Sequence, residues 1–364
     1  MYKVSILKCN SYNPNEIQKT LIESLKNINF DFSKYKNKKI LIKPNLLCSV
    51  KPEKAITTHP IIIEELCKIL KQYTSKIYIG DSSGDNTTKT LEVSGINKLS
   101  KHATILNFDK LQTKTFFIKN KNIPIPKIIF DFDLIINIAK IKTHSFTGIT
   151  LCAKNLYGCI SGKTKSYIHK LLPKNKDLSE IIIKITNLIK PQLNIIDAVE
   201  GIEGNGPGTA GTKIKSNLII VSKNPFAADI ITSEIMGFNS NEILTNKFSK
   251  IKKQDIKTIG DAKNTRLNFK KPLTYPFPLL VLLNKIFPKP KIDFNKELCQ
   301  KCNICKEKCP VNAITLQPYP ICNYKKCITC MCCMEVCPYN TIYLKDYWFK
   351  TLLKNIKNKI LKND

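Results

Sequence analysis

Cys299-Gln300-Lys301-Cys302-Asn303-Ile304-Cys305-Lys306-Glu307-Lys308-Cys309-Pro310 is answered further on by Cys327-Ile328-Thr329-Cys330-Met331-Cys332-Cys333-Met334-Glu335-Val336-Cys337-Pro338. Each run spaces its cysteines as Cys-x2-Cys-x2-Cys-x3-Cys and closes on proline. Three thiolates this close together curl a short turn around three corners of an iron–sulfur cube. The proline redirects the chain just after the last cysteine, so the fourth corner comes from outside the triplet. Structural zinc asks instead for two ligand pairs separated by a loop. Disulfides ask for an oxidising compartment.

The two halves form an internal repeat, residues 299–316 and 327–344, each ending in a short β-prone run (Ala313–Leu316 and Thr341–Leu344). The repeat resembles the bacterial two-cluster ferredoxins, in which the fourth cysteine ligates the other cluster. That resemblance implies two [4Fe-4S] clusters, one on Cys299, Cys302, Cys305 and Cys337, the other on Cys327, Cys330, Cys333 and Cys309. Cys322 and Cys332 fall outside the motif positions. A small α+β module over 293–345 is expected.

Composition narrows the class. The 364 residues suffice for one large core and a small module. Met1–Cys9 is too short and too alternating for a signal peptide, and no apolar run approaches the roughly 18–20 residues of a membrane span. With 15 cysteines and no export signal, the reading is a reducing, cytoplasmic setting. The net charge is +31, yet Arg266 is the only arginine. Base-reading proteins lean on arginine forks, so no specific nucleic-acid partner is expected. The lysines read as a solvated coat.

From the amino terminus, strand and helix signals alternate. Strands are expected at Lys3–Cys9, Lys38–Lys43 and Lys76–Gly80, with helices at Pro14–Ile28, Pro60–Tyr73 and Thr88–His102. A second strand group covers Thr104–Phe108, Thr113–Ile118, Ile123–Phe130 and Asp133–Ala139. Helical spacing follows over Ile149–Leu156 and Asp177–Lys190, then strands at Leu193–Ala198 and Lys215–Val221 and a helix at Pro225–Met236. Continuous apolar strands alternating with helices predict an α/β domain over 1–270, a mostly parallel sheet flanked by helices. In such sheets the loops leaving the carboxyl ends of the strands build the site. Gly158–Thr164 comes close to a phosphate-cradling loop but leaves three residues, not four, between Gly158 and Gly162. Glu200–Gly208 is glycine-rich, and its two carboxylates would repel a pyrophosphate; a metal ion, amine or hydroxyl suits them better.

Five prolines bracket Leu279–Leu283 in the linker 271–292, which is read as packing the module onto the large domain. The tail 346–364 reads as a basic amphipathic helix, with Trp348, Leu352 and Ile356 opposing Lys350, Lys354 and Lys357. Docking on the parent domain is the expectation, with peripheral membrane contact through 346–364 as the alternative.

Several stretches together resemble the domain of unknown function 362 family: Ile42–Leu46, Thr58–Pro60, Gly80–Gly84, Lys142–His144, Lys154–Gly158, His169, Asp197–Pro207 and Asn224–Pro225. In order they cover about residues 38–230. The resemblance implies architecture and site location more than chemistry. Three of the four histidines, His59, His144 and His169, fall in these stretches. Lys142, Lys154 and Asn155 beside His144 suit a carboxylate, phosphate or enolate. Asp81, Glu200 and Glu203 supply acceptors or hard-metal ligands.

The expectation is therefore an iron–sulfur electron-transfer protein. Its large domain would bind a small-molecule substrate or a further cofactor that exchanges electrons with the clusters. His144, Lys154 and Glu200 are the candidate catalytic residues, with Asp81, Lys142, Asn155, His169, Glu203 and Asn205 as substrate contacts. His144, Lys154 and Asn155 are expected to face the same cavity as the Glu200–Gly208 loop. The alternative is a ferredoxin-type carrier serving a redox partner protein, its large domain a docking scaffold.

Overall fold

The computed structural model describes residues 1–160, 164–274 and 291–345. In chain order the large domain runs β1 (Tyr2–Lys8), α1 (Pro14–Asn27), β2 (Ile40–Lys43), α2 (Pro60–Leu70), β3 (Ile77–Asp81), α3 (Thr87–Val93) and β4 (Thr104–Asn107). A β5–β6 hairpin follows (Thr113–Ile118, Lys121–Pro126), then β7 (Leu134–His144), β8 (Gly148–Thr150), α4 (Cys152–Asn155), α5 (Thr164–Leu171) and α6 (Asn175–Ile189). The domain closes with β9 (Leu193–Gly204), β10 (Gly211–Ser222), α7 (Pro225–Ile235) and β11 (Ile256–Ile259).

Three of the helices start the same way, at Asn13-Pro14, His59-Pro60 and Asn224-Pro225. The side chain before the proline accepts a backbone N–H of the first turn, and proline supplies a residue whose missing N–H costs nothing there.

The main sheet has the order β11-β1-β10-β9-β7-β2-β3-β4, with β8 folded back on β7. Along that path only β10 runs against its neighbours. All eleven residues of β7 are buried, as are all four of β2. Burial on both faces is why these strands begin as apolar runs, Ile40–Ile42 and Leu134–Ile136, with no alternation of polar residues. Ile40, Ile42 and Ile136 pack with Ile17, Leu21 and Leu66 on one face. On the other, Leu41 and Ile135 meet Ile181 and Ile185 of α6. Each fully buried side chain of this kind contributes about 1.5–3 kcal/mol.

Two strands outrun their sequence-based bounds. β7 continues past Ala139 to His144, and β9 past Ala198 to Gly204. The glycine-rich loop expected from Glu200 is therefore strand through Gly204, paired with β10 at Glu200–Lys215 and Glu203–Thr212. Gly201 makes this fit, since a Cβ there would lie 2.4 Å from the Ile141 carbonyl oxygen. Helical spacing over Ile149–Leu156 resolves into β8 and the single turn α4. The cause is a tight return after β7, whose Phe146 and Thr147 N–H groups donate to His144 Nδ1 at 3.0 and 3.3 Å.

The cysteine-rich module is a pseudo-symmetric pair of units offset by 28 residues. β12 (Ile292–Phe294) pairs with β15 (Ile342–Leu344), and β13 (Ile314–Leu316) with β14 (Pro320–Cys322). Positions 292 and 320, 314 and 342, and 299 and 327 all keep that offset. So do the left-handed residues Lys301 and Thr329, Asn303 and Met331, and Asn312 and Asn340. The repeat thus exists in the backbone as well as in the letters. Linker positions 275–290 and the tail 346–364 lie outside the described residues. Among those described, no helix is long and apolar enough to cross a membrane.

Candidate active site between the sheet and the cysteine module

The carboxyl ends of β2, β3 and β7 share one edge of the sheet, and each delivers a buried polar side chain there. Lys43 Nζ, ending β2, donates to Asp81 Oδ1, ending β3, at 2.6 Å. Leu46 and Ser82 N–H groups add bonds to the same carboxylate at 2.8 Å each. Burial raises Asp81's pKa, against the pull of Lys43 and Lys165. Gly158 is obligatory beside this pair: a Cβ would lie 2.4 Å from Asp81 Oδ1 and 2.7 Å from Lys43 Nζ.

α4 is pinned from outside, Asp229 of α7 accepting from Cys152 N at 2.7 Å and Ala153 N at 2.9 Å. This places Lys154 and Asn155. The Asn155 amide donates to Asn137 Oδ1 at 2.8 Å and its oxygen accepts from Asn45 at 2.9 Å. Asn45 Oδ1 in turn accepts from Lys142 Nζ at 2.7 Å. Asn155 is thus a tie between strands. Lys142, wholly buried, is pushed by desolvation down to about 7.

These elements wall a cavity of about 110 Å³, closed on its far side by Cys332, Glu335 and Val336 of the module. Four side-chain atoms on its walls are buried without a hydrogen-bond partner among the described residues: His144 Nε2, His169 Nδ1, Thr150 Oγ1 and Glu335 Oε1. His144 Nε2 lies 3.2 Å from Glu335 Oε1. This contact is poorly aligned for a hydrogen bond, and it is not an ion pair. Burial, with Lys154, His169 and Lys142 nearby, holds His144 well below the ordinary histidine range. Burial also raises Glu335, and lowers His169 to about 3. Both imidazoles are neutral at physiological pH.

The cysteines of the module group around two further cavities. One is lined by Cys299, Cys302, Cys305 and Cys337, the other by Cys309, Cys327, Cys330 and Cys333. The grouping is crossed, the last cysteine of each run lying with the triplet of the other. Cys322 also borders the second cavity. The left-handed residues inside each triplet turn the backbone around the cavity, and Ala313 N–H points at Cys309 Sγ, 3.2 Å away. No three His, Cys, Asp or Glu side chains among the described residues converge closely enough for a single metal ion. A ring of four thiols around a void fits a four-iron cube, whose corners are farther apart than the ligands of one ion.

The glycine-rich segment forms the seam between these parts. A Cβ on Gly208 would lie 2.5 Å from the Glu335 carbonyl oxygen, so only glycine lets the module's helix (Cys332–Val336) approach. Thr209 Oγ1 donates to Cys337 O at 2.6 Å, and Lys308 Nζ to Asp85 O at 3.2 Å.

Of the residues singled out from sequence, Asp81, Lys142, His144, Lys154, Asn155 and His169 line the one cavity. From the Glu200–Gly208 segment only Pro207 does so. Glu200 pairs with Lys213 at 2.7 Å, Glu203 with Lys270 at 3.6 Å, and Asn205 Oδ1 accepts from Leu273 N at 3.0 Å. The shared-cavity expectation is corrected to that extent: those two carboxylates sit on a strand paired with β10, which carries them away from the cavity. His59 belongs to a separate cluster with Tyr12, Lys140 and Asp197. Sequence reasoning missed Lys165, Lys308 and Glu335 as cavity residues. Lys165 Nζ donates to Ser82 O and, at 2.8 Å, to Ser82 Oγ, and burial lowers it to about 8. Lys43 carried a signal, a charged residue closing an apolar strand before proline. Glu335 carried none, because it reaches the cavity only when the module docks.

Comparison with known proteins agrees with this division. A family model described as a 4Fe-4S binding domain matches residues 292–315. The thylakoid-associated protein sll1697 of Synechocystis sp. is 28% identical over 249 residues, 66% of this chain and 77% of its own length. Among solved structures, a Thermotoga maritima protein aligns over 52% of this chain and 51% of its own, at 16% identity and a TM-score of 0.34. The lactate racemase apoprotein of Thermoanaerobacterium thermosaccharolyticum aligns over 52% of this chain and 49% of its own, at 14% identity and a TM-score of 0.36. The chain spans about half the length of these solved structures. A model described as a domain of unknown function, DUF362, matches residues 40–234, more than half of the sequence, and the chain belongs to that family.

Proposed function

We propose that this protein is an iron–sulfur redox enzyme in which a small molecule bound in the seam cavity exchanges electrons with two [4Fe-4S] clusters. One observation carries the reading. The helix closing the cavity, Cys332–Val336, bears Cys333 of one cysteine set and leads directly into Cys337 of the other. When bound, the clusters supply electrons one at a time. Cys299, Cys302, Cys305 and Cys337 would hold one, and Cys327, Cys330, Cys333 and Cys309 the other. His144 presents Nε2 to the bound molecule, Lys154 supplies charge, and Lys142 with Asn155 and Asn45 keeps that wall rigid. Asp81 is held by Lys43 at the edge of the cavity.

A carrier without substrate is the second reading. It is favoured by the exposed Cys302, which brings one cysteine set to the surface where a partner protein could exchange electrons. The thylakoid association named for the Synechocystis relative supports peripheral attachment to a membrane in either case.

Anaerobic protein should contain eight iron and eight sulfide. Cys309→Ala should damage the cluster nested in Cys327–Cys333; loss of the Cys299–Cys305 cluster alone would sink the crossed assignment. Any small molecule carried through purification should reoxidise the reduced clusters, and His144→Gln should abolish that without bleaching them. Reoxidation by acceptor proteins alone would leave the carrier reading.

A further inference from the structure

The lysines on and behind the cavity wall differ in what they already hold. Lys43 Nζ is bonded to Asp81, Lys142 Nζ to Asn45 Oδ1 and Ile56 O, Lys165 Nζ to Ser82, and Lys308 Nζ to Asp85 O. Lys154 differs. Among the described residues its ammonium has no oxygen acceptor; it lies over the Tyr157 ring, 5.5 Å from the centroid. Desolvation lowers the Lys154 pKa, against the pull of Glu335, with which it forms no ion pair among the described residues. Lys154 is half-buried on the cavity wall, so its ammonium is open to an anion held there.

The neighbouring atoms define the anion further. His144 Nδ1 accepts two backbone N–H groups, so the imidazole proton sits on Nε2, which is a donor. Thr150 Oγ1 is a second donor without a partner. One cation and two neutral donors suit a planar monoanion. Glu335 Oε1, 3.2 Å from His144 Nε2, leaves no further donor on that wall for a second anionic group. The cavity of about 110 Å³ has room for several waters, hence for a short molecule.

From the unpartnered atoms of Lys154, His144 and Thr150 we infer that the cavity is the seat of a small monocarboxylate. Its carboxylate rests on the Lys154 ammonium and its other end faces Glu335. The inference takes its cavity from the redox reading but stands on binding alone.

The test uses the holoprotein and ¹³C-acetate. Acetate should show saturable line broadening that grows when the clusters are reduced and paramagnetic. Lys154→Gln should weaken its binding at least about tenfold, and Lys154→Arg should weaken it less. Cluster absorbance and melting temperature serve as the folding check for both variants. Equal binding by wild type and Lys154→Gln would overturn the assignment, as would phosphate or malonate displacing acetate at lower concentration than acetate itself binds. The outcomes separate the two readings. Acetate that binds while no electron exchange is found removes the redox reading alone. Electron exchange with a small molecule that acetate does not block removes the seat alone.

Discussion

At Lys140 every polar atom has a partner; at Lys154 almost none does. Lys140 Nζ donates to Asp197 Oδ2 at 2.9 Å and to Tyr12 OH at 2.6 Å, while Tyr12 OH donates to Asp197 Oδ1 at 3.0 Å. His59 N–H closes the set on Asp197 at 2.9 Å, and its ring stacks on Tyr12 with centroids 3.7 Å apart. Both clusters combine lysine, histidine, tyrosine and a carboxylate around the same sheet. In the first, the buried charges are neutralised by one another and space is filled. In the second, Lys154 lines a void beside His144 Nε2, Thr150 Oγ1 and Glu335 Oε1, which have no hydrogen-bond partner among the described residues. Residue type alone does not distinguish a scaffold from a site; unspent bonding capacity does.

The sharpest way to break this contrast is Asp197→Ala. It strands Lys140 as a buried unpaired charge, and denaturant unfolding should show a loss of about 3–5 kcal/mol. A loss under about 1 kcal/mol would mean the Lys140 cluster is no scaffold.

Next in size is the pH dependence contributed by Lys142, which stands between the two clusters. Its folded pKa of about 7 lies below its ordinary 10.5. Between those values the unfolded chain binds the extra proton, so stability rises with pH. The contribution is complete above about 10.5 and is lost as pH falls through about 7. Lys142→Met should remove this rise, about 4 kcal/mol between pH 6 and 10, read from unfolding. An unchanged slope would place the ammonium in contact with water.

The smallest effect has the opposite sign. Lys154→Met replaces an unpaired ammonium with an apolar chain of similar length and should raise stability by about 1–2 kcal/mol while abolishing ligand retention. Destabilisation instead would show that Lys154 already has a partner and belongs with Lys140.

Much of this was legible in the letters, for physical reasons that differ by region. The parallel sheet announced itself because β2, β7 and β9 are buried on both faces and so open on closely spaced apolar residues, Ile40–Ile42, Leu134–Ile136 and Ile195–Ile196. The module announced itself because ligand spacing is local. His144, Lys142 and Lys154 could be gathered from sequence because they lie within eleven residues of one strand end and the turn after it. Glu200 and Glu203 misled because a carboxylate between glycines looks like an open loop, whereas Gly201 and Gly211 serve the close packing of a hairpin. Lys165 and Glu335 were invisible, since no local pattern records which helix another segment will meet.

Gly208 has a consequence for biogenesis. It fixes the module's helix against the large domain, so the last wall of the cavity arrives only with that helix. In a short cysteine-rich unit, binding the inorganic core is itself a large share of the folding free energy. Cofactor loading and pocket completion are therefore one thermodynamic event, and linkage runs both ways. On the proposed reading, a chain awaiting its iron would present an open groove with little hold on its ligand. A chain that has found its ligand should in turn retain its iron longer.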